Sequence, residues 1–234
     1  MTRRLITHET VTSRKIRQPL TLALVADLHN GSYADQLPTL RHADGILILG
    51  DLLNRHRDGF DRAAAFLKDA PECAPTFYAL GNHERNSGDW EAFYPLVRKS
   101  RVTLLDNAFV SFGGIVLGGL SSPGYGRPAS SFLRKMAARP GFKLLMCHHP
   151  ELYASAVAPY DIDLTVSGHA HGGQVRLMGR GLYAPGQGLF PKLTSGWYFD
   201  RRLLVSRGLT NSAGVPRLFN PCELILLHLE PKER

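Results

Sequence analysis

Long apolar runs are missing from this chain of 234 residues. No stretch approaches the ~20 residues a helix needs to cross a bilayer. Cysteine is scarce as well: Cys73, Cys147 and Cys222 are odd in number and far apart. That excludes a disulfide framework or a cysteine-built zinc site and suits buried, reduced thiols. No repeat, low-complexity tract or linker interrupts the chain, so one domain over residues 1–234 is expected. Met1-Thr2-Arg3-Arg4 is basic but leads into Ile6-Thr7-His8-Glu9 and not into an apolar core, so it does not read as a signal peptide. The expectation is a cytoplasmic monomer with the option of peripheral attachment to a membrane.

Negative charge is also in deficit. Twenty Asp and Glu face 28 Lys and Arg, a formal net charge of +8. That balance favours anionic partners: phosphate esters, nucleic acid or an acidic membrane surface. The cations are dispersed, and the short clusters Arg14-Lys15-Ile16-Arg17 and Arg201-Arg202 read as solvated surface. An aromatic-plus-basic tract of the kind that stacks on single strands is absent, so no nucleic-acid partner is expected.

Hydrophobic residues make up 44% of the chain, enough for a substantial core. They fall into short apolar runs that each end abruptly on polar residues. Residues 20–26 run into Asp27-Leu28-His29-Asn30-Gly31, residues 45–49 into Gly50-Asp51, and residues 76–80 into Gly81-Asn82-His83-Glu84. Residues 142–147 run into His148-His149-Pro150 and residues 163–167 into Gly168-His169-Ala170-His171-Gly172-Gly173-Gln174. Such runs read as buried strands delivering polar residues at their C-terminal ends, where α/β folds place their sites. Parallel strands of one sheet would bring all five ends to one edge.

Around these runs, residues 5–18 alternate loosely as an edge strand or hairpin arm. Residues 58–69 predict a helix stopped before Pro71, and residues 89–99 a helix weakened at Pro95. Residues 102–120 hold short strands with Gly113-Gly114 as a hairpin turn. Residues 121–130 read as loop, 131–138 as helix, and 203–206 and 222–229 as closing strands. Residues 178–200 are loop-rich; Leu182, Tyr183, Leu189, Phe190, Trp197, Tyr198 and Phe199 there either cover a sheet edge, the favoured reading, or rim a site for a lipid-linked substrate.

Five polar strand ends carrying Asp, Asn and His but no Cys point to a mixed oxygen–nitrogen metal site. That donor set disfavours structural zinc and suits hydrolytic Mn²⁺, Fe or Zn²⁺ with open positions. Two histidines spaced i, i+2 among glycines fit a loop that brings backbone close to an ion. His149, next to His148, reads as exposed or as a supporting donor, since adjacent strand residues face opposite ways.

In order, Asp27-x-His29, Gly50-Asp51-x-x-Asn54, Gly81-Asn82-His83-Glu84, His148-x-Pro150 and Gly168-His169-x-His171 resemble the calcineurin-like metallophosphoesterases. The Gly172-Gly173-Gln174 tail, Val205-Ser206-Arg207-Gly208 and Pro216-Arg217 resemble one branch, the bacterial phosphodiesterases of the YkuE/YaeI type. The resemblance implies an α/β fold, a four-layer α/β/β/α sandwich of two mixed sheets flanked by helices. It implies two divalent cations, Mn²⁺ first with Zn²⁺ or Fe as alternatives. Asp27, His29 and His171 would hold one, Asn82, His148 and His169 the other, and Asp51 would bridge them.

A metal-bridging hydroxide would attack phosphorus in line, and His83 would protonate the leaving oxygen or stabilise the transition state. Asn54 stands where many relatives have an aspartate that orients this histidine, and Ala170 where threonine is common. Arg207 and Arg217 are candidates for binding substrate phosphate. The implied activity is hydrolysis of a phosphodiester or pyrophosphate bond in a small-molecule or lipid-linked ester, such as a nucleotide- or lipid-linked envelope metabolite. The alternatives are a UDP-2,3-diacylglucosamine pyrophosphatase-like enzyme or a phosphomonoesterase, with a nuclease or a non-catalytic scaffold further behind.

Overall fold

A computed structural model describes residues 4–122, 130–212 and 215–233. Most of the expected 121–130 loop lies outside these residues. In chain order the first strands are β1 (Leu5–Ser13), β2 (Leu20–Val25) and β3 (Gly45–Ile48), with a short helix α1 (Leu37–Leu40) before β3. Helix α2 (Asp61–Cys73) leads to β4 (Thr76–Tyr78), and α3 (Asn82–Asn86) and α4 (Trp90–Lys99) lead to β5 (Thr103–Leu104). Then come β6 (Ala108–Phe112), β7 (Ile115–Leu120), α5 (Ser130–Ala137), β8 (Lys143–Cys147) and β9 (Leu164–Ser167). The last third holds β10 (Arg176–Leu177), β11 (Arg180–Gly181), β12 (Tyr183–Ala184), β13 (Gly188–Leu189), β14 (Gly196–Tyr198), β15 (Leu203–Val205) and β16 (Glu223–Pro231).

Two six-stranded sheets result, ordered β1-β16-β2-β3-β4-β5 and β14-β15-β9-β8-β7-β6. Strands β2 to β5 are parallel, β16 runs antiparallel to β2, and β1 is a parallel edge beside β16. In the second sheet β7, β8, β9 and β15 are parallel, with β6 and β14 antiparallel at the edges. Gly113 and Gly114 both have positive φ, as a tight β6–β7 hairpin turn requires. The five polar strand ends come from both sheets of the two-sheet sandwich that the resemblance implies, and not from the single sheet that the apolar runs alone suggest.

Alternation along each strand builds the layers. Leu22, Leu24, Leu47, Leu49 and Phe77 of the first sheet face Leu117, Leu144, Met146, Val166 and Leu204 of the second in one core. The opposite face of the first sheet, with Ala23, Val25, Ile46, Ile48 and Tyr78, packs on Phe66, Leu67, Phe93 and Val97 of α2 and α4. The outer face of the second sheet packs on Phe132, Leu133 and Met136 of α5 and on Tyr153 and Val157 of a π-helical turn. Strands buried on both faces read as continuous apolar runs, which is why they are recognisable in the sequence. The architecture is α/β/β/α.

Neither proline stops its helix. Helix α2 continues past Pro71 to Cys73, and the Ala74 N–H closes its last turn on Ala70 O. Helix α4 runs through Pro95, anchored by buried Phe93 and Val97. Each proline deletes one N–H bond, and the apolar face buried on the sheet outweighs that loss.

Candidate metal centre

The polar residues after β2, β3 and β4 meet those after β8 and β9 where the C-terminal ends of the two sheets adjoin. Asp27 and Asp51 are buried, at 0% and 1% exposure. Free carboxylates are almost never that buried without a partner, so their surroundings define the site. Histidine nitrogens surround both. Asp27 Oδ1 lies 3.9 Å from His29 Nε2 and 3.9 Å from His171 Nε2. Asp51 Oδ2 lies 3.1 Å from His148 Nε2 and 3.9 Å from His29 Nε2. Among the described residues the donors form two separate groups, Asp27–His29–His171 and Asp51–His148–His169, which a third, His29–Asp51–His83, links; a fourth, His149–Glu151–His169, lies to the side. Asn82 Oδ1 is buried beside them with no hydrogen-bond partner among the described residues.

Backbone carbonyls set two of the imidazoles. His148 Nδ1 donates to Leu49 O at 2.8 Å, and His29 Nδ1 donates to Leu53 O at 3.1 Å. Each donation fixes the ring with Nε2 aimed inward, the arrangement that orients metal-binding histidines. Burial lowers the His29 imidazole to about 4, against the charge of Asp51. Burial likewise holds His169 and His171 well below the usual range. They are therefore neutral, the ligating form.

His148 differs: burial depresses it, but Asp51 overrides burial and raises it to about 10. Burial also raises Asp27, to about 7, against the pull of His148 and with the push of Asp51. Asp51 itself is held well below the usual carboxylate range; its burial is outweighed by His148 and then by His29 and His83. A buried cluster that keeps protons on His148 and Asp27 to balance charge is one that cations can enter by displacing those protons. The donor set, the orphaned Asn82 oxygen and this balance all fit a pair of divalent ions.

The loops reach this geometry through unusual backbone. Asp27, His29, Asp51, His169 and His171 all have positive φ, between 47° and 67°. Each such non-glycine residue costs about 1–2 kcal/mol, and such strain clusters at functional sites. In the 168–174 stretch His169, His171 and Gln174 carry the strain, whereas Gly172 and Gly173 take positive φ without it.

His83 lies at the cavity side, with Nε2 3.8 Å from Asp51 Oδ2. The Arg55 N–H donates to His83 Nδ1 at 3.1 Å, so the proton of the neutral ring sits on Nε2. Burial lowers this imidazole to about 3, despite Asp51. Asn54 is buried next to it, but its Oδ1 accepts the His56 N–H at 3.0 Å. No hydrogen bond joins Asn54 to His83 among the described residues, and the Arg55 amide occupies the nitrogen that Asn54 was expected to orient.

Arg207 and Arg217 are not brought into the open. Arg217 donates to Arg207 O and to Thr210 O, each at 2.6 Å, and to His171 Nδ1 at 2.8 Å. It ties the residue 207–217 loop to a candidate ligand. The Arg207 N–H donates to Glu223 Oε2. The cationic side chains lining the two cavities beside the centre are instead Arg55 in one and Arg4, Arg57 and Arg62 in the other. His149 is half-buried, donates from Nδ1 to Glu151 Oε1 at 3.0 Å and packs on the His169 ring at 4.2 Å.

Sequence reasoning gave no role to Glu84, although it ends the Gly81-Asn82-His83-Glu84 motif. Its buried carboxylate accepts the Asp51, Leu53 and Gly81 N–H groups and so fixes two ligand loops to each other. Asn220 was missed too: its Nδ2 donates to His171 O and Gln174 O. No local signal marks it.

A family model described as calcineurin-like phosphoesterase matches residues 20–173. An uncharacterized metallophosphoesterase of Campylobacter jejuni is 27% identical over 93% of this chain and 61% of its own length. One of Helicobacter pylori is 29% identical over 69% of this chain and 47% of its own length. A zebrafish transmembrane protein with a metallophosphoesterase domain is 25% identical over 67% of this chain and 41% of its own length. The chain therefore spans roughly half the length of these relatives. Among the described residues no helix is long and apolar enough to cross a membrane.

Proposed function

Because this chain belongs to the calcineurin-like phosphoesterase family, a metal-dependent one, we propose that it hydrolyses a phosphodiester or pyrophosphate bond with two divalent cations bound. One observation carries the diester reading: the donor cluster lies where two cavities meet. One, of about 410 Å³, reaches Asp51, Asn82, His83, His169 and His171. The other, of about 550 Å³, reaches His29 and Asn54, and Ser212 lines both. A phosphorus held between them has room for a substituent on each side, which a monoester does not need.

Asp27, His29 and His171 would hold one cation, Asn82, His148 and His169 the other, with Asp51 between. Bound there, the ions would polarise the phosphoryl oxygens and activate the attacking water. The chain's own residues do the rest. Asp51 and Asp27 supply the negative charge that keeps two cations close together. His83, neutral and with its Nδ1 occupied by the Arg55 amide, offers Nε2–H as a hydrogen-bond donor to the charge developing on the departing oxygen. A donor placed in this way contributes about 10²–10³-fold. Arg55, at the same cavity, offers its guanidinium to a non-bridging oxygen.

The two cavities differ in chemistry. Val175, Leu182, Tyr183, Pro185 and Val215 wall the first, whereas Arg4, Arg57 and Arg62 line the second with Asp35, the partner of Arg4, and Asp58. That pairing suits an amphiphilic ester with a polar anionic arm and an apolar arm, as in a lipid-linked nucleotide such as UDP-2,3-diacylglucosamine. The test is a panel of monoesters, diesters, sugar nucleotides and lipid-linked nucleotides with protein reloaded with Mn²⁺, Zn²⁺ or Fe²⁺. The expected ranking places diesters and pyrophosphates ahead of monoesters, with Mn²⁺ most effective. Preference for monoesters would overturn the diester reading, and inactivity on the whole panel would overturn hydrolysis itself.

A further inference from the structure

The segment expected to cover a sheet edge does so only in part. Trp197 is tied down, donating from Nε1 to Glu9 Oε2 at 2.6 Å. The hairpins before it instead turn apolar side chains outward. Met178 is fully exposed, Phe190 is 77% exposed and Phe219 81%, with Leu177, Leu189 and Leu218 at half exposure or more.

These six form one surface. Main-chain bonds run from Leu218 to Val175 and Arg176, across the β10–β11 hairpin, from Leu182 to Val175, and from Phe190 to Leu182. Arg176 clamps the layer by donating to Gly172 O, Thr194 Oγ1 and Ser195 Oγ. At three of the tips, Met178, Phe190 and Phe219 have positive φ, near 50°. Glycine or asparagine fills that conformation without strain. Here strained backbone presents large apolar groups to water, an arrangement that disfavours the free protein twice.

The surface has a charged neighbour. A depression beside Phe190 is lined by Arg176, Arg180 and Lys192 and by no carboxylate, in a chain of net charge +8. Apolar tips next to a cationic hollow complement a lipid–water interface, where anionic headgroups lie over acyl chains. The same layer supplies Val175, Leu182 and Tyr183 to the wall of the 410 Å³ cavity, so whatever the tips enter lies beside the mouth of the metal centre.

We propose that the tips at residues 177–178, 189–190 and 218–219 dock this protein onto an anionic lipid surface, with Arg180 and Lys192 meeting headgroup phosphates. The docking stands on its own geometry. Only the further step, that the surface delivers a lipid-borne diester to the cavity, rests on the proposed function.

The experiment is co-sedimentation of the full chain with vesicles of phosphatidylcholine alone or mixed with phosphatidylglycerol. Wild-type protein is expected on the mixed vesicles, with binding that weakens as salt rises. L189S/F190S should lower the partition coefficient at least about tenfold on mixed vesicles. R180E/K192E should lose about tenfold on mixed vesicles only. Both variants should keep the wild-type melting curve, because the side chains they change are exposed. Absence of wild-type binding, or binding indifferent to L189S/F190S, overturns the proposal. So does concentration-dependent self-association that L189S/F190S abolishes, which would assign the surface to a second copy. Docking without hydrolysis of any ester would instead overturn the proposed function and leave the docking standing.

Discussion

Glu84 holds Asp51 by the backbone: its Oε2 accepts the Asp51 N–H at 2.9 Å and the Gly81 N–H at 2.7 Å, while Oε1 accepts the Leu53 N–H at 3.0 Å. A candidate bridging carboxylate is thus positioned by a second carboxylate that touches no proposed metal. Glu84→Ala would strand three buried donors. At about 1–3 kcal/mol for each stranded group, a loss of about 3 kcal/mol or more is expected in urea unfolding. Glu84→Gln keeps an acceptor and should lose less. A wild-type unfolding curve for Glu84→Ala would show that the loops do not depend on this residue.

Asp51→Asn keeps the shape and removes the charge between the two donor groups. Metal analysis after dialysis should show fewer than two ions bound, with turnover abolished. His83→Ala should retain the metals and lose about 10²–10³ in turnover. Metal loss in His83→Ala would make that residue a ligand.

Cation loading should release protons at pH 7. In the metal-free fold His148, raised to about 10, holds its second proton and Asp27, raised to about 7, is only partly protonated at pH 7, and ligation requires these protons to leave. Affinity should therefore fall as pH falls. The stabilising effect of protonated His148 is complete below the ordinary value of 6.5 and disappears as pH rises towards 10. The melting temperature of chelated protein should accordingly decline over that range, and the loaded protein, which has no such proton, should not follow it. Proton release is read with an indicator dye in weak buffer; none at pH 7 would contradict the assignment.

Gly81→Ala tests how tightly the loops meet. A Cβ at this position would collide with Asp51 Oδ1 and with the Asp51 backbone nitrogen, and Asp51 Oδ1 already accepts the His83 N–H at 2.8 Å. The variant should lose stability and metal together. Full metal content with an unchanged melt would show that the loop yields.

Much of the site was readable in the sequence because strands buried on both faces are uniformly apolar. In such mostly apolar strands the polar residues just past the C-terminal end stand out, and Asp27, Asp51, Asn82, His148 and His169 all follow a strand in that way. Which sheet each strand joins was not readable, because strand pairing is fixed by residues far apart in the chain. The Glu84 contacts were hidden for a related reason: they run to main-chain amides, which every residue but proline carries, so no residue type marks the partner. Arg217 looked like a phosphate ligand because a guanidinium serves equally well for carbonyl oxygens, and only the fold shows Thr210 O and Arg207 O there. The apolar side chains of residues 178–200 could be read as cover or as rim, since exposure depends on neighbours the sequence does not specify.

The order of strands in the first sheet bears on how the protein is made. β16 lies between β1 and β2 and pairs with both, so neither β1 nor the outer edge of β2 has its partner until residues 223–231 have been synthesised. Until then the Asp27 and His29 loop has no complete sheet beneath it, and Asn220 is not yet there to hold the His171 turn. A chain stopped before residue 220 therefore lacks both supports of the proposed metal centre.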